Sequence, residues 1–82
     1  MAVYTVVEED YSATVYRSAK SVCEAHANSY CLENANFIDG DAIPATGDDI
    51  AKTLRKEGEV RLYPLDGGDW RCKIQKQPRI FN

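Results

Sequence analysis

Toward its C-terminal end the chain alternates apolar and polar positions with a period of two. Val60-Arg61-Leu62-Tyr63 and Trp70-Arg71-Cys72-Lys73-Ile74 read as two strands. Asp66-Gly67-Gly68-Asp69 lies between them, and glycine reaches positive φ without a steric cost. Directly opposed residues of an antiparallel pair share a face. That condition predicts Val60 opposite Ile74, Leu62 opposite Cys72 and Pro64 opposite Trp70, closed by a three-residue loop at Asp66-Gly67-Gly68. The other face would then carry Arg61, Tyr63, Arg71 and Lys73, a basic stripe with one aromatic in it.

Upstream, the period changes to that of a helix. Thr46 with Asp49 three residues later forms a capping-box pattern. Asp48 and Asp49 suit the positive N-terminal end of the helix dipole; Lys52, Arg55 and Lys56 suit the other end. Ile50, Ala51 and Leu54 provide an apolar side, and Gly58 stops the helix. Ile38 to Thr46 reads as a loop.

The first third starts with a strand, Ala2 to Val7. After Glu8-Glu9-Asp10 two readings compete. A long helix could run from near Ser12 to about Asn34. Alternatively Ala13 to Arg17 is a second strand paired back to the first, and Ser18 caps a helix from Ala19 to about Leu32. Thr14-Val15-Tyr16 favours the strand, and the hairpin is the preferred reading. In both, Val22, Cys23, His26, Ala27 and Tyr30 share one helical face. The expected fold class is α+β: one domain over residues 1–82, an antiparallel sheet with two helices on one face. Its expected core is Val6, Val22, Ile50, Leu54, Val60, Leu62, Trp70 and Ile74.

Composition narrows the class. The chain has 82 residues, 44% hydrophobic and 28% charged, as an ordinary globular domain does. So short a chain buries only about 60% of its unfolded surface, which favours presenting a surface over walling a deep cleft. No apolar stretch is long enough to cross a membrane, and Met1 to Asp10 lacks a positive leader, so the expected location is cytoplasmic. Three cysteines, an odd number, fit reduced buried thiols better than a disulfide framework.

The net charge of −3 is unevenly placed. The first 46 residues carry seven carboxylates against Arg17 and Lys20; the remainder carries eight Lys or Arg against six carboxylates. Such asymmetry steers a charged partner.

Within Val15 to Tyr30, VYRSAKSVCEAHANSY, the texture resembles small accessory proteins of bacteriophages. In those a short hairpin leads into a helix of this kind and a later hairpin closes the domain. The resemblance covers about a fifth of the chain and no motif of known chemistry. It implies a viral or mobile-element origin and a role in blocking a host system, and it assigns no residue a function.

Candidate chemistries are weak. Cys23, His26, Cys31 and Cys72 are zinc-ligand types. On one helix, however, Cys31 would stand about 12 Å from Cys23, and no Cys-x-x-Cys pair exists, so no metal or other cofactor is expected. Cys23 with His26 could form a nucleophile–base pair, but no third group orients it. Asp39-Gly40-Asp41 matches the start of a calcium loop, yet Ile50 occupies its twelfth position. Gly67-Gly68 precedes no helix that could hold phosphate.

Two non-enzymatic readings remain. In the first, Glu8, Glu9, Asp10, Asp39 and Asp41 face a host protein or complex, with Tyr4, Tyr11 and Tyr16 as candidate aromatic anchors, and the protein inhibits that partner. In the second, Arg55, Lys56, Arg61, Arg71 and Lys73 contact nucleic-acid phosphates while Tyr63 stacks on a base. The pI of about 5.0 weighs against the second. The chain is expected to be a monomer or a homodimer.

Overall fold

The computed structural model describes residues 2–78. Its strands are β1 (Ala2–Glu8), β2 (Ala13–Tyr16), β3 (Phe37–Ile38), β4 (Asp41–Ala42), β5 (Glu59–Leu62) and β6 (Cys72–Pro78). Its helices are α1 (Ala19–His26) and α2 (Gly47–Glu57). A four-stranded antiparallel sheet has the order β2-β1-β6-β5, and β3 and β4 make a separate two-stranded ribbon. The fold is α+β, with both helices packed on the sheet.

Alternation sorts the sheet into two faces. Thr14, Val6, Ile74 and Val60 stand side by side on the inner face, and Leu62 lies opposite Cys72 on that same face. Val6, Val22, Ile50, Leu54, Val60, Leu62, Cys72 and Ile74 form the buried cluster, joined by Cys23 and Ala45. The outer face carries the rows Val15–Thr5–Gln75–Glu59 and Ala13–Val7–Lys73–Arg61.

The second helix follows its sequence signals. Thr46 Oγ1 accepts from Asp49 N–H at 3.2 Å, and the Asp49 carboxylate accepts from Thr46 N–H at 3.0 Å. The helix ends at Gly58, whose φ of 79° suits glycine and whose N–H donates to Leu54 O. The N-terminal hairpin also forms, with Thr5 opposite Val15 and Val6 opposite Thr14. Ser18 caps α1 and accepts from Ser21 N–H at 3.1 Å.

Four expectations need correction. First, α1 stops at His26 rather than near Leu32, so Ala27, whose backbone is extended, and Tyr30 do not lie on it. Asn28 turns left-handed (φ 64°) and donates its N–H to Ala45 O, while Cys31 exchanges backbone bonds with Tyr63. These long-range bonds outcompete another helical turn. Second, Ile38 to Thr46 is not all loop. Asp39 (φ 53°) and Gly40 (φ 90°) make a tight turn between β3 and β4, of the kind Asp-Gly favours in hairpins. Third, Val60–Ile74 and Leu62–Cys72 pair as expected, but the ladder ends there. Arg71 N–H still donates to Leu62 O, but residues 64–70 leave the sheet, so no three-residue loop sets Pro64 opposite Trp70. Gly67 N–H instead closes a turn onto Pro64 O, and both glycines have positive φ. Fourth, Trp70 is only half-buried and outside the core; the thiol residues Cys23, Cys31 and Cys72 are buried instead.

Candidate functional site

The site grows from the free side of β5. In an antiparallel ladder, alternate residues point both backbone groups at the partner strand or both away from it. Lys76 N–H donates to Gly58 O at 2.8 Å, in the same register as Val60–Ile74. Gly58, Val60 and Leu62 therefore face β6, and Glu59, Arg61 and Tyr63 face outward. Cys31 takes Tyr63: each donates its N–H to the other's carbonyl at 2.9 Å. Beyond Cys31 the chain turns aside, with Ala35 N–H bonded to Leu32 O. Among the described residues, nothing pairs with the backbone of Glu59 or Arg61.

A groove occupies that vacated position. Its volume is about 520 Å³, within the range of pockets that take small ligands or short segments. Glu59, Val60 and Arg61 form one wall and Asp49, Thr53 and Glu57 of α2 another. Leu32 to Asn36 and Ile43 to Ala45 complete it. Leu32, Ile43, Pro44, Ala45 and Val60 make its apolar part, while among the described residues Glu33, Asp49, Glu57 and Glu59 set four carboxylates against the guanidinium of Arg61. Tyr63 Oη donates to Glu33 at 3.4 Å and holds it at the closed end. Bonds from the Thr46 N–H and hydroxyl hold Asp49 below its ordinary carboxylate pKa, so it stays charged.

Next to the groove, the ribbon presents an apolar surface. Phe37 is 57% exposed and Ile38 61%, and Ile43 in the groove wall is exposed as well. Phe37 and Ile38 directly precede the Asp39-Gly40-Asp41 turn. Exposed apolar side chains rimmed by carboxylates have the make-up of an interface.

The residues expected to bind an acidic-site partner are divided. Asp39 and Asp41 belong to the ribbon. Glu8, Glu9 and Asp10 belong to the β1–β2 turn, where Ser12 donates its hydroxyl and its N–H to Asp10 and lowers its pKa. The two groups approach one another through Arg71. Its guanidinium holds Glu9 at 3.1 Å and lines a depression shared with Asp41 and Asp66. Of the proposed anchors, Tyr11 is open to solvent, whereas Tyr4 and Tyr16 pack against the core.

Two members of the expected basic stripe are met by carboxylates. Arg61 and Lys73 remain side by side on the outer face. Arg71 is engaged by Glu9, and Tyr63 is held between Cys31 and Glu33. Arg55 and Lys56 lie in the last turn of α2.

The thiols are core groups. Burial pushes up the pKa of Cys23 and Cys31, and that of Cys72 rises from 9.0 to about 11. Cys31 Sγ donates to Pro64 O at 3.6 Å. His26 Nδ1 lies 2.7 Å from Val22 O, and its ring is flanked by Tyr16 and Tyr30. Among the described residues no three His, Cys, Asp or Glu side chains gather where they could hold a metal.

No protein-family model, characterised protein or solved structure matches the chain. The groove residues Glu33, Ile43, Glu57 and Glu59 and the ribbon residues Phe37 and Ile38 were not anticipated. Asp39-Gly40 was the available signal, since that dipeptide marks a hairpin. No local pattern marks the groove, which depends on where residues 32–36 leave β5.

Proposed function

We propose that the protein is a non-enzymatic binding module that takes an extended, basic segment of a partner protein into the groove beside β5. The observation that carries this is the outward backbone of Glu59 and Arg61, open in a groove lined by four carboxylates. A strand added there would gain main-chain hydrogen bonds, each contributing about 0.5–1.5 kcal/mol net. Lys or Arg side chains of the segment would meet Glu33, Glu57 and Glu59, and apolar ones would meet Leu32 and Ile43. The ribbon residues Phe37 and Ile38 would extend the contact over the partner's surface. Inhibition of a host complex follows in this reading if the captured segment is one that the complex itself needs. The nucleic-acid alternative draws support only from Arg61 and Lys73, whose neighbours along the groove are acidic.

The test uses fluorescence anisotropy with a labelled peptide alternating Lys and Val, and a Glu–Val peptide as its counterpart. The Lys–Val peptide should bind, and the Glu–Val peptide should not. Glu33→Lys with Glu59→Lys should weaken binding at least about tenfold, which corresponds to 1.4 kcal/mol. Equal affinity for both peptides, or no loss in the double variant, rejects the groove. Retention of a labelled oligonucleotide that Arg61→Glu with Lys73→Glu abolishes would transfer the function to the outer face.

A further inference from the structure

The opposite edge of the sheet, β2, is open in a different manner. Glu8 N–H donates to Ser12 O at 2.9 Å, in the register that pairs Val6 with Thr14 and Tyr4 with Tyr16. By the same alternation Ser12, Thr14 and Tyr16 face β1, so Ala13 and Val15 direct their N–H and C=O groups off the edge, and the chain bends at Arg17. Among the described residues no strand covers them. The segment contains no Pro, and its only charge is Arg17. Val15 is 61% exposed. Natural sheets usually blunt such an edge with charge, Pro or a bulge.

The extended stretch has sharp limits. Tyr11 turns left-handed at φ 67°, and α1 begins at Ala19 after an extended Ser18 (φ −143°, ψ 150°). Between these limits the strand runs Ala13–Tyr16, the chain bends at Arg17, and Val15 is the exposed outward residue within the strand. Charge is ordered along the same segment: Glu8, Glu9 and Asp10 precede it, and Arg17 and Lys20 end it. A two-fold axis reverses the partner strand and brings the acidic end of each copy toward the basic end of the other.

We infer that β2 pairs antiparallel with β2 of a second copy of this chain, with the two-fold axis at Val15. Val15 stands opposite the partner's Val15, and Ala13 opposite the partner's Arg17. The Val15 pair exchanges two backbone bonds, and the two sheets become one. The neighbouring register, centred on Thr14, would set Val15 against the partner's Ala13 and leave the two exposed Val15 side chains apart. The inference concerns the opposite edge from the groove and stands independently of the proposed function.

Sedimentation velocity of the full chain over a concentration series should show a rise from 9.2 kDa to twice that mass and no further. Val15→Cys should give a disulfide-linked dimer under mild oxidation, because bonded antiparallel pairs place Cα atoms about 5.5 Å apart, a distance a disulfide spans. The native cysteines are buried. Thr14→Cys should cross-link at least about tenfold more slowly, since its side chain points to the inner face and its own copy in the partner is offset along the strand. Val15→Pro removes only an outward N–H, so the β1–β2 ladder persists while the dimer is lost. A monomer at every concentration, growth beyond a dimer, or equal cross-linking of the two cysteine variants overturns the inference. If Val15→Pro does not fold, the cysteine pair alone decides.

Discussion

The two edges of the sheet differ in what lies beside them. At β5, Tyr63 is taken by Cys31, and the chain then withdraws to leave a walled, acidic groove along Glu59 and Arg61. At β2, among the described residues, no strand lies alongside, and Ala13, Val15 and Arg17 are exposed. An edge inside a groove selects its occupant by charge and by side-chain fit, because walls are present to read the incoming strand. A bare edge offers backbone groups alone, and its selectivity comes from symmetry and from charges at its two ends. In the two proposals the same kind of open main chain serves recognition of another protein in one place and of an identical chain in the other.

The substitution that removes both edges together has the largest expected effect. Ile74 is fully buried on β6, between β1 and β5. Ile74→Ala should cost about 2–5 kcal/mol in chemical denaturation, and peptide binding and dimerisation should fail together. Loss of one without the other would show that the edges do not share a core. Alkaline pH acts on the same centre. The folded-state pKa of Cys72, raised from 9.0 to about 11, favours the neutral thiol. That contribution is fully present below pH 9 and is lost as pH rises through the folded-state value. The denaturation midpoint should fall across this window, and Cys72→Ala should flatten the fall.

Smaller changes separate the edges. Arg61→Pro removes an outward N–H at β5 while leaving the bonds to β6, so it should lower peptide affinity at least about tenfold and leave the dimer intact. Val15→Pro should do the reverse. Thr46→Ala strips the cap of α2, the helix that forms one wall of the groove, and should cost about 1 kcal/mol in stability with a lesser loss of peptide binding. Acid provides the gentlest perturbation. Asp49 has a depressed pKa, so its contribution holds above the ordinary 3.8 and declines as pH falls through the lower folded-state value. Thermal unfolding should show this acid slope in the native chain and a shallower one in Asp49→Asn.

Much of the framework was readable in local patterns. Thr46 with Asp49 specified a capped helix, Ser18 the start of another, and period-two alternation the Val60–Ile74 register. Seven of the eight expected core residues are buried, because each lies on the apolar side of an element whose period the sequence displays. Trp70 broke the pattern because the β5–β6 ladder ends at Leu62–Cys72 and the chain before Arg71 lies outside it.

What the sequence determined by itself is what short-range rules control: caps, glycine turns, strand alternation, and hence the α+β framework with its two hairpins. Only the tertiary structure decided where α1 stops, that Cys31 seals one end of β5, and that Glu33, Glu57 and Glu59 line one groove. The physical reason is the same in each case. These features depend on backbone bonds between residues far apart in the chain, and such bonds leave no periodic trace in the residues that make them.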